Sequence, residues 1–421
     1  MAVQMITRRG ALAAAAMTAA AGLTGCSALG DVMGEGSSGV PKLFDHPSEQ
    51  EGSGDSDSAP SEREPEPEPS LAEKTLARLT LEQKVAQLFI VTPEQLTGAS
   101  RATIAGAMTR DALAQIPVGG LCYFSQNIVG NRQLRDLLSG TRELAKASGA
   151  GVAPFLTVDE EGGPLVARVA NSGCFDVPRY PNMAEIGAAG DAARAAEVGS
   201  AIGSYLHDIG FNIDFAPDAD VLTNPANPVI GARSFGSDPD LVASMVAAEV
   251  EAMLKTGTLP CIKHFPGHGD TAGDSHTGAV YTNRTRAEIE SAEFKPFIAG
   301  IDAGCPLVMV GHIETPNFAA DGLPASLSPT MLTDVLRGQL GFKGTIVSDS
   351  FSMGAITQNY SASDAAVRYF QAGGDILLMP QDLRAAYDGV LAAVHAGTLT
   401  EARIDESVLR VLSAKETAGL L

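Results

Sequence analysis

The chain has 421 residues, 45% of them in the hydrophobic set, enough to bury the core of one large domain or two smaller ones. Its formal net charge is −21 and it contains no tryptophan. With no basic excess to neutralise phosphates, the composition argues against a nucleic-acid partner.

Residues 1–26 read as a targeting segment rather than as part of a fold. Arg8-Arg9 precede an alanine-rich apolar run from Ala11 to Leu23, too short to span a bilayer as a permanent helix. The run ends in Leu23-Thr24-Gly25-Cys26, which resembles a bacterial lipobox, where the cysteine is lipidated and becomes the mature N-terminus. Thr7-Arg8-Arg9 also resembles a twin-arginine export signal, although Gly10-Ala11 is not its usual continuation. An ordinary cleaved signal peptide with a chance cysteine is the alternative. The match at the correct end of the apolar run favours lipidation of Cys26, and with it a protein anchored to the outer face of the cytoplasmic membrane. Residues 27–70 carry eleven acidic against two basic residues and end in Glu64-Pro65-Glu66-Pro67-Glu68-Pro69. Such a stretch is expected to be a disordered, self-repelling tether with a stiffer polyproline-like end, holding a domain away from the membrane within the cell wall. Residues 71–421 then form the folded part.

From Leu71 onward eight short apolar runs of β type alternate with stretches of helical character. They are Leu88–Val91, Val118–Phe124, Pro154–Val158, Phe211–Phe215, Leu259–Lys263, Leu307–Val310, Thr345–Ser348 and Asp375–Met379. Amphipathic pieces such as Leu76–Ala86, Ala192–Ile209 and Asp240–Leu254 lie between them. Eight βα units predict an α/β fold of the TIM type, a (β/α)8 barrel with its site at the C-terminal strand ends. An open doubly wound sheet fits less well, because no glycine-rich phosphate loop follows the first strand.

The strand ends carry polar residues that packing does not explain. The third run leads into Asp159-Glu160-Glu161-Gly162-Gly163, the fourth into Pro217-Asp218-Ala219-Asp220, and the fifth into Lys263-His264. The sixth leads into Gly311-His312-Ile313-Glu314 and the seventh into Ser348-Asp349-Ser350. A pocket that recognises sugar hydroxyls needs such a mixture of carboxylates and basic groups. Four cysteines follow Cys26, namely Cys122, Cys174, Cys261 and Cys305, with no zinc-type or C-x-x-C spacing. Cys122 and Cys261 lie inside apolar strand runs, so buried free thiols are expected.

The most informative stretch is Lys263 to His276, K-H-F-P-G-H-G-D-T-A-G-D-S-H. It leaves a strand and carries Pro266, Gly267 and Gly269, so it is not helical. In an extended loop Asp274 and His276, two residues apart, point the same way, and the carboxylate would orient the ring as a general acid/base histidine requires. Spacing alone leaves acid/base chemistry, a metal site and a purely structural role open. A His-x-x-His helix turn is absent, and the Pro-Gly turns spread the ligating groups apart.

The string K-H-F-P-G-H-G-x4-D-S-H resembles the signature of the family 3 glycoside hydrolases, specifically the single-domain β-N-acetylglucosaminidases. In that subgroup an Asp–His dyad on a mobile loop replaces the carboxylic acid that most glycosidases use as proton donor. The resemblance implies a (β/α)8 barrel and a retaining exo-β-N-acetylglucosaminidase that needs no metal or organic cofactor. Thr345-Ile346-Val347-Ser348-Asp349 resembles the family's nucleophile strand, which makes Asp349 the nucleophile, with Ser350 where an acidic neighbour is usual. His276 and Asp274 become the proton-donor dyad. Asp159, Arg168, Arg233 (in G-A-R-S-F-G), Lys263 and His264 match sugar-binding positions. Arg168 sits in D-E-E-G-G-P-L-V-A-R, one residue longer than the family's D-Q-E-G-G-R-V-x-R and lacking its first arginine. A wall-facing location makes GlcNAc-terminated peptidoglycan fragments the expected carbohydrate substrate, with chitin-type oligosaccharides next, and the protein is expected to act as a monomer. Three other readings stand beside this one: a catalytically silent wall-binding lipoprotein, a metallohydrolase built on the histidine cluster, and a phosphorylase using the same site. Glu314 is the next candidate acid if His276 only binds.

Overall fold

The computed structural model describes residues 68–421. The targeting segment 1–26, with Cys26, and all but the last three residues of the tether lie outside the described residues. Ser70 opens the fold: its side chain caps the helix Leu71–Arg78 by accepting from the Glu73 N–H, while Glu73 reaches back to the Ser70 N–H.

Each of the eight apolar runs forms a parallel strand. In chain order they are β1 (Phe89–Val91), β2 (Gly120–Cys122), β3 (Phe155–Val158), β4 (Ile213–Asp214), β5 (Leu259–Phe265), β6 (Leu307–Val310), β7 (Thr345–Ser348) and β8 (Leu377–Leu378). Each pairs with its sequence neighbour from β1 to β7, and β8 returns to β1 in the register Phe89–Leu377 and Ile90–Leu378. The ring closes where Ile376, just before β8, meets Val347 of β7, with Ser348 N–H donating to Ile376 O at 2.9 Å. This is a TIM-type (β/α)8 barrel. Strands covered on both faces are built from unbroken apolar residues, which is why these runs do not alternate.

The helices follow their caps. Ala192–Ile209 forms as one helix, capped by Asp191 and stopped at Gly210, whose φ of 119° suits glycine. Asp240–Leu254 forms with Pro239 added at its first turn. Leu76–Ala86 is not one helix. Thr80 begins a new one, Leu81–Gln87, in a capping box with Gln83, and the chain turns between the two at Leu79. The helices 192–209 and 239–254 pack closely at Gly199, where a Cβ would fall 2.6 Å from the Glu249 carbonyl oxygen. Glu249 is fully buried beside that contact, and neither of its carboxylate oxygens has a hydrogen-bond partner.

The two barrel ends differ in their chemistry. At the N-terminal end Asp375 is fully buried and accepts from the Ile346 N–H, Ser407 and Arg410, with Arg337 and Arg403 also paired to it. That end carries an ion cluster around a buried carboxylate. The C-terminal end is open, and a cavity of about 590 Å³ sits there. Among the described residues no helix is long and apolar enough to cross a membrane. Cys122, Cys261 and Cys305 are buried free thiols, while Cys174 is half-buried and also free.

Candidate active site

Strand β5 supplies two cavity residues in succession. Lys263 is buried, and its ammonium donates to Asp159 Oδ1 at 2.7 Å and lies 2.6 Å from Glu161 Oε1. His264, joined to it by a cis peptide bond, presents Nδ1 to Asp220 Oδ2 at 2.7 Å. Asp220 also accepts the His264 and His268 backbone N–H groups. Burial alone would raise the Asp220 carboxyl and lower the His264 ring. Their mutual attraction outweighs it, bringing Asp220 down to about 2 and raising His264. Geometry and charge together hold the pair.

Arg233 lays a two-pronged fork on Glu161, Nε to Oε2 at 2.7 Å and an NH2 donor to Oε1 at 2.6 Å. Glu161 is therefore the common anchor of the two cations Lys263 and Arg233. Burial alone would raise its carboxyl; Arg233 and Lys263 hold it far below the usual range. Asp218 lies 3.5 Å from Arg233 with Oδ2 otherwise unpartnered, and burial next to the Asp220 charge pushes it up to about 8. Asp218, Asp220 and His264 are close enough together to ligate an ion. The Asp220–His264 bond and the Arg233 guanidinium already occupy these groups, a poor setting for a second cation.

Arg168 reaches the cavity from a hairpin made by Glu160–Gly162 and Val166–Ala167. That hairpin turns through Gly162 and Gly163, whose φ values of 81° and 70° suit glycine. The neighbouring Glu160 turns away from the cavity, accepting from the Val169 and Ala170 N–H groups and from Tyr205, and so ties the hairpin shut. The Arg168 guanidinium lies 5.6 Å from the centre of the Phe124 ring, with Nε buried and unpartnered.

Asp349 follows β7 and lines the same cavity. Burial would raise its carboxyl, but His264, His312, the Ser350 N–H at 2.7 Å and His276 together hold it below its ordinary value. It is ionised, as a nucleophile must be. His312 is buried, and that burial lowers the pKa of its ring. Its Nε2 donates to the Ser350 carbonyl at 2.9 Å, and its Nδ1 accepts from Ser326.

Asp274 and His276 pair as expected, Nδ1 to Oδ1 at 2.7 Å, but not through an extended loop. The Asp274 carbonyl accepts from the Thr277 N–H at 3.0 Å, and its carboxylate also accepts from the His276 N–H at 2.9 Å. A tight turn makes the pair, because the short aspartate side chain bonds its own backbone two residues on. His276 is exposed and faces into the cavity, while Asp274 stands behind it. The structure thus gathers Asp159, Arg168, Arg233, Lys263, His264, His276 and Asp349 around one cavity. Glu314 is not among the lining residues; it pairs with Tyr281 in a short outer ladder. Glu161, Asp218 and Asp220 were visible in the sequence only as strand-end acids, and His268 only as a member of the possible metal-binding cluster.

A barrel with an ionised carboxylate, a histidine–aspartate pair and paired cations at its C-terminal mouth has the make-up of a glycoside hydrolase. A model of the glycosyl hydrolase family 3 N-terminal domain matches residues 80–414. The chain is 33% identical over 329 residues to β-hexosaminidase A of Pseudoalteromonas piscicida, an alignment covering 72% of this chain and 54% of the relative. It is 34% identical to β-hexosaminidase LpqI of Mycobacterium tuberculosis, covering 73% of this chain and 82% of the relative. A solved family 3 β-N-acetylglucosaminidase from Paenibacillus sp. str. FPU-7 superposes with a TM-score of 0.75 at 36% identity, covering 81% of this chain and 63% of that one. The chain belongs to glycosyl hydrolase family 3. It spans about half the length of the Pseudoalteromonas relative and most of the mycobacterial one.

Proposed function

We propose that this glycoside hydrolase is a retaining exo-β-N-acetylglucosaminidase that removes terminal GlcNAc from peptidoglycan fragments, with chitin-type oligosaccharides as its second substrate class. The observation that carries the reading is the His276–Asp274 pair facing the same cavity as the ionised Asp349. The names of the relatives support the sugar, and the tether and lipobox-like sequence support the wall.

In the first step the Asp349 carboxylate bonds to the anomeric carbon as the glycosidic bond breaks. The His276 imidazolium gives its Nε2 proton to the departing oxygen. Asp274, accepting from Nδ1, holds the ring in that tautomer and stabilises its charged form. In the second step neutral His276 takes a proton from water, which attacks the same carbon and releases Asp349. Asp159, Arg168, Arg233, Lys263 and His264 hold the hydroxyls of the terminal sugar. No step needs a metal or an organic cofactor. The enzyme acts as a monomer, held by a lipid on Cys26 to the outer face of the cytoplasmic membrane.

Release of nitrophenol from its N-acetyl-β-glucosaminide tests the reading. Turnover that survives exhaustive chelation, with no metal found on analysis, is expected. Well-folded protein without turnover would favour a wall binder, and loss on chelation a metallohydrolase. In phosphate buffer, N-acetylglucosamine 1-phosphate as the main product would make the enzyme a phosphorylase. A neutral histidine repels an incoming anion less than a carboxylate does, so this product is assayed alongside.

A further inference from the structure

The His276 ring has one hydrogen-bonded partner, Asp274, and both belong to the same four-residue turn. That turn fixes the ring relative to itself but not relative to Asp349. The distance between proton donor and nucleophile is set by whatever the turn leans on.

The turn leans on the segment that follows the nucleophile. Gly354 N–H donates to the His276 carbonyl at 3.1 Å, and Ala355 N–H to the Ser275 carbonyl at 3.1 Å. The Gln358 side-chain amide donates to the Thr277 carbonyl at 2.9 Å. Three consecutive carbonyls of the loop are thus taken by donors from residues 354–358. Contact at Gly354 is close because it lacks a side chain: a Cβ there would lie 2.8 Å from the His276 oxygen and 2.9 Å from the Thr277 carbonyl carbon. The seat is in turn tied to Asp349. Ser350 N–H bonds the Asp349 carboxylate, and the Ser350 carbonyl accepts from both the Met353 N–H at 3.1 Å and His312 at 2.9 Å.

We propose that Gly354 and Gln358 are positioning residues that seat the His276 turn, so that proton donor and nucleophile are held in register by one short stretch of chain, residues 349–358. The inference rests on the reading of His276 as proton donor. It assigns a function to backbone N–H groups and one side-chain amide, and these carry no signature in the sequence.

The readout is leaving-group dependence of kcat/KM, which reports the glycosylation step. A GlcNAc disaccharide needs its leaving oxygen protonated, whereas a dinitrophenyl glycoside departs as an anion. Gln358→Ala removes one exposed hydrogen bond, so roughly a 2- to 10-fold loss is expected on the disaccharide and little on the dinitrophenyl substrate. Gly354→Ala pushes the turn off its seat, and a displacement of that size costs up to about 10²-fold on the disaccharide. Each variant combined with His276→Ala should lose nothing beyond His276→Ala alone. Should Gly354→Ala fail to fold by thermal melting, Gln358→Ala and its double mutant decide the matter. Equal losses on both substrates, or losses that add to those of His276→Ala, would overturn the proposal. If His276→Ala discriminates between leaving groups and the seat variants do not, only this inference falls. If His276→Ala does not discriminate, the acid assignment falls and this inference with it.

Discussion

Asp349, His276 and Asp274 sit in different surroundings, and their variants should fail in different ways. On the proposed mechanism Asp349→Ala removes the attacking carboxylate, so every substrate should lose nearly all turnover whatever its leaving group. His276→Ala should cost about 10²–10⁴-fold on a disaccharide and far less in the glycosylation step of a dinitrophenyl glycoside. Asp274→Asn should resemble a weaker His276→Ala, because an amide still holds the ring but does not stabilise its positive charge. Initial rates on the two substrates check all three. The sequence made these residues visible because each lies within a short motif. It left Glu161 without a role, because its partners Arg233 and Lys263 stand 72 and 102 positions away in the chain and meet it only when β5 and the segments after β3 and β4 share a barrel rim. The Asp220–His264 pair was hidden for the same reason.

Among the elements, the strands were the most legible. Runs such as Leu307–Val310 are apolar on both faces because the barrel covers both. The break at Thr80 was missed because the apolar pattern continues across it while the cap overrides it locally. Helix 239–254 carries a liability that periodicity does not reveal. Burial, reinforced by the charges of Glu161 and Asp218, pushes the Glu249 carboxyl up to about 8 from an ordinary value of 4.5. Between these values the folded protein keeps a proton that the unfolded chain has released, so this group's contribution to stability falls as pH rises through the window. The loss amounts to something on the order of 5 kcal/mol. Glu249→Gln should flatten the decline in unfolding free energy between pH 5 and 8.5 measured by denaturant titration. An unchanged slope would mean that the carboxyl finds a partner in solution.

For the whole molecule, the folded barrel and the N-terminal region answer different questions. Cys26→Ser should leave the barrel folded and active but move the protein from the membrane to the soluble fraction, because acyl chains supply an affinity that an acidic tether does not. Retention of the variant in membranes at an unchanged level would show that another element holds it there. The net charge of −21 also has a bearing on where recognition can take place. Lys263 and Arg233, with side chains 3% and 13% exposed, have their counter-charge built in at Glu161. Mobile ions in solution weaken attractions between exposed charges but barely reach buried ones. If Lys263 and Arg233 hold the terminal sugar as proposed, that grip is shielded from the ionic strength of its surroundings. An enzyme built this way would keep a constant hold on its substrate through changes of salt that alter how fast charged glycans approach.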